Sequence, residues 1–137
     1  MSDLKGRVAL ITGVSRRNAI GFGIAKRLAG MDADLLLHSF APYDRTFSSI
    51  SEVPAPDSIA GELRQHGIRA EHIEADFIES HSPARVMRKA VEKLGHVDIL
   101  VVNHTHDTLK TLDELTPEEI DRHLAVNVRA TLLLIQE

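Results

Sequence analysis

Apolar positions along this chain come in short runs separated by stretches of helical spacing. Residues 7–12 (RVALIT), 34–38 (DLLLH), 68–74 (IRAEHIE) and 97–102 (VDILVV) are the four runs. Such runs, rich in aliphatic residues and without strict alternation, fit parallel strands covered on both faces. Between them the spacing is helical. From Gly21 onward, Ile24, Ala25, Leu28 and Ala29 recur on one face. Asp57 can cap a helix holding Ile59, Ala60 and Leu63 that ends before Gly67. Ser82-Pro83 reads as an N-cap with proline at the first helical position, ahead of Val86, Ala90, Val91 and Leu94, with Gly95 as a left-handed stop. Thr116-Pro117-Glu118-Glu119 is a capping box. It starts a helix running through Ile120, Leu124, Val128, Leu132 and Ile135, a stripe expected in the core or on a subunit surface. The order βαβαβαβα predicts an α/β protein, a Rossmann-like doubly wound parallel sheet with right-handed crossovers. Residues 39–56, with three prolines and four serines, are the longest stretch without periodicity and are expected to be an irregular loop.

At 137 residues the chain is the length of one domain. Its formal net charge of −4 and the lack of a basic run argue against nucleic-acid partners and an electrostatic membrane anchor. No run approaches the roughly 20 apolar residues of a membrane span. Cysteine is absent, which excludes disulfides, thiolate metal sites and a cysteine nucleophile and fits a cytoplasmic location.

The candidate chemistry begins directly after the first predicted strand, in Thr12-Gly13-Val14-Ser15-Arg16-Arg17-Asn18-Ala19-Ile20-Gly21-Phe22-Gly23. A glycine-bearing turn from strand to helix lets backbone N–H groups approach a pyrophosphate, and the helix N-terminus adds its positive end. Gly13 is expected to make the tight turn, Gly21 the close approach and Gly23 the close packing of helix on strand. Among eight histidines, His104 and His106 share one face of an extended segment. With Asp107 they could bind a metal, but no further ligand is set by spacing, so no metal site is expected there. His66, His72, His81, His96 and His123 are expected on exposed helices and loops.

The chain resembles the N-terminal half of a short-chain dehydrogenase/reductase. That family's loop reads T-G-x-x-x-G-x-G, with its first two glycines four positions apart. Here eight separate Gly13 from Gly21. The longer loop is similar in length to that of the enoyl-acyl-carrier-protein reductase branch, and the segment 19–25 (AIGFGIA) is similar to that branch's Ser-Ile-Ala-x-Gly-Ile-Ala. Asp76-Phe77 stands where the family has an acid and an apolar residue beside adenine. Asn103 matches the first residue of N-N-A-G, whose remainder is here His104-Thr105-His106. Asn127, in 126–130 (VNVRA), is similar to the family's active-site Asn segment. Asp32 stands where the family's first helix often ends in glycine; an Asp there has to tolerate a left-handed turn.

The resemblance implies a strand order of 3-2-1-4 and a dinucleotide cofactor held by Gly13, Ser15, Arg16, Arg17, Ile20, Gly21, His38, Ser39, Asp76, Phe77, Asn103 and His104. No carboxylate follows the second strand before Asp44, whereas NAD-selective folds place one there for the ribose hydroxyls. Arg16 and Arg17 offer guanidinium groups to a 2′-phosphate. NADP(H) is therefore expected in preference to NAD(H).

In the family, hydride passes between nicotinamide and a carbonyl, alcohol or enoyl carbon. A Tyr acts as general acid, a Lys four residues later lowers its pKa, a Ser polarises the carbonyl and an Asn holds a relay water. The single tyrosine here, Tyr43, has Phe47 four residues on and cannot be that acid. Only Asn127 of the catalytic set is expected in this chain. The apolar run 132–135 near the end and an uncovered edge on the fourth strand lead us to expect 1–137 to be the dinucleotide-binding part of a protein about twice as long. A short protein pairing with itself along that edge is the rival expectation. The parent protein is expected to be a homodimer or homotetramer. The expected activity is reduction of a carbonyl, a 3-oxoacyl thioester among the candidates. The alternatives are an enoyl-thioester reductase and a non-catalytic dinucleotide-binding or interaction module. The 137 residues alone are expected to be inactive.

Overall fold

The computed structural model describes residues 3–47 and 55–137. Among these residues four parallel strands form one sheet: β1 (Val8–Ile11), β2 (Asp34–Ser39), β3 (Ala70–Glu74) and β4 (Ile99–Val101), in the order β3-β2-β1-β4. The expected strand order is thus observed. β1, β3 and β4 are shorter than the apolar runs that predict them, because ladder pairing stops where the chain turns out of the sheet, whereas β2 extends one residue further, to Ser39. Register pairs Leu10 with Leu36 on one side and with Leu100 on the other.

Among the described residues six helices accompany the sheet: α1 (Ile20–Ala29), α2 (Ala41–Phe47), α3 (Pro56–Leu63), α4 (Ser82–Leu94), α5 (Pro117–Leu124) and α6 (Ala130–Gln136). Alternate residues of β1 point to opposite faces. Ala9 and Ile11 join Phe22 and Ala25 of α1 and Ile59 and Leu63 of α3 in one core. Val8 and Leu10 join Val86 and Ala90 of α4 and Ala130 and Leu134 of α6 in the other. Every β1 residue is buried, as a central parallel strand requires. β4 is half-buried throughout.

Several local expectations are corrected. Part of the irregular stretch 39–56 forms α2; residues 48–54 lie outside the described residues. Ser82 is the first residue of α4, not its cap, and its buried hydroxyl has no partner. Asp57 does not cap α3: Ala55 takes that position, and Asp57 pairs with Arg64 at 3.3 Å. Asp32 does take the left-handed conformation, with φ 66°.

The last helix is not one regular α-helix. A π-helical turn, Ala125–Arg129, joins α5 to α6. Val126, Ala130 and Leu134 reach the core, while Ile120, Leu124, Val128, Leu132 and Ile135 stay exposed. The stripe read from the spacing is therefore surface, not core. The capping box forms as expected: the Thr116 hydroxyl accepts the Glu119 N–H at 3.3 Å, and the Glu119 carboxylate accepts the Thr116 N–H at 3.0 Å. A second box, Thr111 with Glu114, caps the short turn before it. Thr116→Ala is expected to cost about 1 kcal/mol, read as a lower urea midpoint. An unchanged midpoint would show that the box does not hold α5.

Candidate functional site

The carboxyl ends of β1, β2, β3 and β4 open into one cavity of about 610 Å³. Its floor is built where β1 turns toward α1. Gly13 sits there at φ +72°. A Cβ at Gly13 would lie 2.9 Å from the backbone of Asn103 and His104, so the turn passes directly over the end of β4. The Gly13 N–H donates to His38 Nδ1 at 3.3 Å. His38 is 2% exposed, and its Nε2–H donates to the Ala75 carbonyl at 2.8 Å. Its ring stacks on Phe77, centroids 4.1 Å apart. Both ring nitrogens are thus committed in the neutral form. Burial drives the pKa down to about 3.

His104 closes the other side of the floor. Its Nε2–H donates to the Val126 carbonyl in the π-helical turn at 2.8 Å. Its Nδ1 accepts from the Thr12 hydroxyl at 2.8 Å. Burial lowers its pKa as well. A carbonyl left over by the π-helical turn is therefore tied by one imidazole to the end of β1. Asn103 donates through Nδ2 to the Gly13 carbonyl at 3.1 Å.

The rim carries the polar chemistry. α1 starts at Ile20 from an extended Ala19, with no side-chain cap and no acid in its first turn. Its first N–H groups face an anion-binding position. Arg16 lines the same cavity, and its buried Nε has no partner. Asp76 accepts the Ile78 N–H at 2.9 Å, which holds Asp76 and Phe77 on the opposite wall.

Of the residues singled out in the sequence, Gly13, Ser15, Arg16, Ile20, His38, Asp76, Phe77, Asn103 and His104 line this cavity together. Gly21, Arg17, Ser39 and Asn127 do not. Gly21 lies beneath it: a Cβ there would meet Asn103 Nδ2 and the Gly13 carbonyl at 2.7 Å. Gly21, not Gly23, makes the close packing, since a Cβ at Gly23 would meet nothing within 4 Å. Arg17 turns away to pair with Glu62 at 2.6 Å. Ser39 turns to His72, 2.7 Å away, which places His72 half-buried on β3, not on an exposed loop. The Asn127 amide clamps the backbone of His106, accepting its N–H at 2.8 Å and donating to its carbonyl at 2.9 Å.

Sequence reasoning missed the wall built by α2. Phe40, Pro42, Tyr43, Asp44 and Thr46 all line the cavity. The Tyr43 hydroxyl accepts the Asp107 N–H at 2.8 Å, and its ring lies 5.3 Å from that of His106. The signal was available in the helical spacing of residues 40, 43, 44 and 47, hidden among prolines and serines. Among the described residues, no group of His, Asp and Glu is gathered to hold a metal ion. No helix among them is long and apolar enough to cross a membrane.

A parallel sheet whose strand order reverses beside β1, with its cavity at that reversal and a glycine turn leading into an uncapped helix, is a dinucleotide-binding fold of the Rossmann class. Comparison with known proteins narrows the class. The sequence profile of the short chain dehydrogenases matches residues 7–137, and the chain belongs to that family. It is similar to a hydroxynaphthalene reductase-like protein, Arp2, of Metarhizium anisopliae, 35% identical over 134 residues that make up 98% of this chain and 46% of that protein. Among solved structures it is similar to a blue fluorescent protein from a metagenomic library in complex with NADPH, 31% identical with a TM-score of 0.83, covering 98% of this chain and 50% of that one. A short chain dehydrogenase of Burkholderia cenocepacia in complex with NADP is 34% identical with a TM-score of 0.81, covering 97% and 49%. The chain spans about half the length of the relatives it matches.

Proposed function

We propose that this chain is the dinucleotide-binding part of an NADP(H)-dependent oxidoreductase that reduces a carbonyl substrate. The observation that carries the reading is the pairing of an uncapped α1 N-terminus with the Arg16 guanidinium, whose Nε lacks a partner, in one cavity. The donor set fits a pyrophosphate on the helix N-terminus and a 2′-phosphate on Arg16. Two similar structures hold NADPH and NADP. Bound there, the nicotinamide would supply the hydride.

The residues divide the remaining work. Gly13 keeps the backbone low enough for the pyrophosphate. Ser15 and Arg16 take the far ribose and its phosphate. Asp76 and Phe77 flank adenine, and Asn103 and His104 line the ribose beside the nicotinamide. His38 holds the floor in one tautomer. Asn127 spends its side chain on the His106 backbone, so a proton relay at Asn127 would use its main-chain carbonyl, which already accepts from the Thr131 hydroxyl at 3.0 Å and retains a second lone pair. The parent protein works in the cytoplasm as a homodimer or homotetramer, with the exposed apolar stripe of α5 and α6 as the subunit surface. A 3-oxoacyl thioester is the first substrate class to assay and an enoyl thioester the second.

A specific observation favours one further reading, a binding module without catalysis. The lone tyrosine, Tyr43, is on the α2 wall with its hydroxyl accepting a backbone N–H, and no Tyr-x-x-x-Lys exists in these 137 residues. The chain by itself is expected to bind NADPH without oxidising it in the presence of carbonyl substrates. Arg16→Ala is expected to weaken NADPH binding about 10- to 100-fold, as loss of a charge-assisted contact does, and to leave NADH binding nearly unchanged. Titration calorimetry with both nucleotides checks this. Equal losses for the two would refute the assignment of Arg16 to the 2′-phosphate.

A further inference from the structure

The end of β2 presents no carboxylate to the cavity. Ser39 faces β3, and Phe40 follows it. One turn later the chain returns: α2 brings Asp44 back into the cavity, beside the residues that lead from the glycine turn into α1. Asp44 accepts from the Ser15 hydroxyl and lies in the field of Arg16. Burial raises its pKa, with the Ser15 hydrogen bond and the Arg16 charge pulling the other way. Ser15, Arg16 and Asp44 thus form one polar corner of a cavity whose lining also includes Phe40, Pro42, Asp76, Phe77 and Asn103.

That corner holds opposite charges with opposite preferences. A guanidinium favours a 2′-phosphate. A half-buried carboxylate lining the same cavity repels a phosphate dianion and accepts hydrogen bonds from a ribose 2′,3′-diol. We propose that Asp44 is a second cofactor-specificity determinant, a carboxylate on α2 that selects against the 2′-phosphate and offsets the preference set by Arg16. The proposal rests on the dinucleotide reading of the cavity and deepens it. A carboxylate that serves this purpose ordinarily stands at the end of the second strand, roughly 20 residues past the glycine turn. Here a turn of helix carries it back from further along the chain. Relief of like-charge repulsion is the dominant effect when Asp44 is neutralised, because the Arg16 guanidinium then meets the phosphate without a competing carboxylate.

The test is Asp44→Asn, which keeps shape and removes charge, with Asp44→Glu as the charge-retaining companion. Dissociation constants for NADPH, NADH, adenosine 2′,5′-bisphosphate and 5′-AMP are measured by calorimetry on wild type and both variants, with circular dichroism to confirm folding. Asp44→Asn is expected to tighten NADPH and the bisphosphate about tenfold and to weaken NADH and 5′-AMP several-fold. Asp44→Glu is expected to keep the wild-type ratio within about threefold. An unchanged NADPH-to-NADH ratio in a folded Asp44→Asn overturns the proposal and leaves the dinucleotide site standing. So does a variant that loses both nucleotides equally, since that marks Asp44 as structural. If Asp44→Asn does not fold, a ratio in Asp44→Glu shifted by more than tenfold overturns the proposal and a preserved ratio supports it. Failure of wild type to bind any of the four ligands overturns the dinucleotide reading itself.

Discussion

Gly13→Ala is expected to destabilise the fold by about 3 kcal/mol and to abolish measurable NADPH binding. Two costs combine. Gly13 has φ +72°, where a Cβ costs about 1–2 kcal/mol. The same Cβ would stand 2.9 Å from the Asn103 carbonyl and from the His104 backbone. Those are main-chain atoms at the end of β4, and overpacking against them adds about 1–3 kcal/mol. They cannot yield cheaply, because the Asn103 and His104 N–H groups donate to the Thr12 hydroxyl at 3.0 and 3.2 Å. Relaxation would lift the glycine turn off the sheet, and with it the backbone that approaches the pyrophosphate. Gly23→Ala is the matched control. It lies inside α1 with open space around its Cβ direction, and the change is expected to stabilise by about 0.5–1 kcal/mol. Urea unfolding of both variants checks the pair. Similar small effects at the two positions would contradict the close approach of the turn to β4.

Acid should weaken the protein mainly through His38. Its folded-state pKa is about 3, below the unfolded value of 6.5. Between these values the unfolded chain binds a proton that the folded chain refuses, so stability rises with pH across this window. The contribution is fully present above about pH 6.5 and is lost progressively as pH falls toward 3. Each pH unit in the window is worth about 1.4 kcal/mol, so wild type should lose about 2 kcal/mol between pH 7.5 and pH 5 through this residue alone. His72, His104 and His106 are also held below the ordinary imidazole value by burial and act in the same direction. Asp44, raised by burial, acts in the opposite one. His38→Gln is expected to lower stability at pH 7.5, because Gly13 and Ala75 lose well-placed partners. It should also flatten the acid limb by about 2 kcal/mol. Denaturant midpoints at pH 5 and pH 7.5 provide the readout. An acid limb as steep in His38→Gln as in wild type would rule out His38 as the main acid-labile group.

Much of the molecule was legible in the chain because its signals are local. Four aliphatic runs separated by helical spacing define a parallel α/β order, and the sheet has it. Gly13 and the Thr116 box are punctuation read from a few neighbouring residues, and both take the conformations their chemistry dictates. Asp76, Phe77, Asn103 and His104 were reached through family resemblance, and the fold gathers them at one end of the sheet. The misreadings share a cause too. Stretch 39–56 has a loop-like composition, and α2 forms there in spite of it, with Ala41 buried. Gly21 and Gly23 look equivalent two residues apart, yet only one faces the end of β4.

By itself the sequence determined the class of fold, the strand order through the family it resembles, and the turn at Gly13. Hydrophobic periodicity and backbone preference act over a few residues, so they are written where they operate. The tertiary structure alone decided which polar groups share the cavity. Arg17 leaves it for Glu62, while Asp44 enters it from 31 positions beyond Gly13. It also decided that the Ile120–Ile135 stripe is surface, because the face bearing Val126, Ala130 and Leu134 is the one that packs on the sheet and α4. Side-chain direction across an element depends on how neighbouring elements pack, and packing is a property of contacts between residues far apart in the chain.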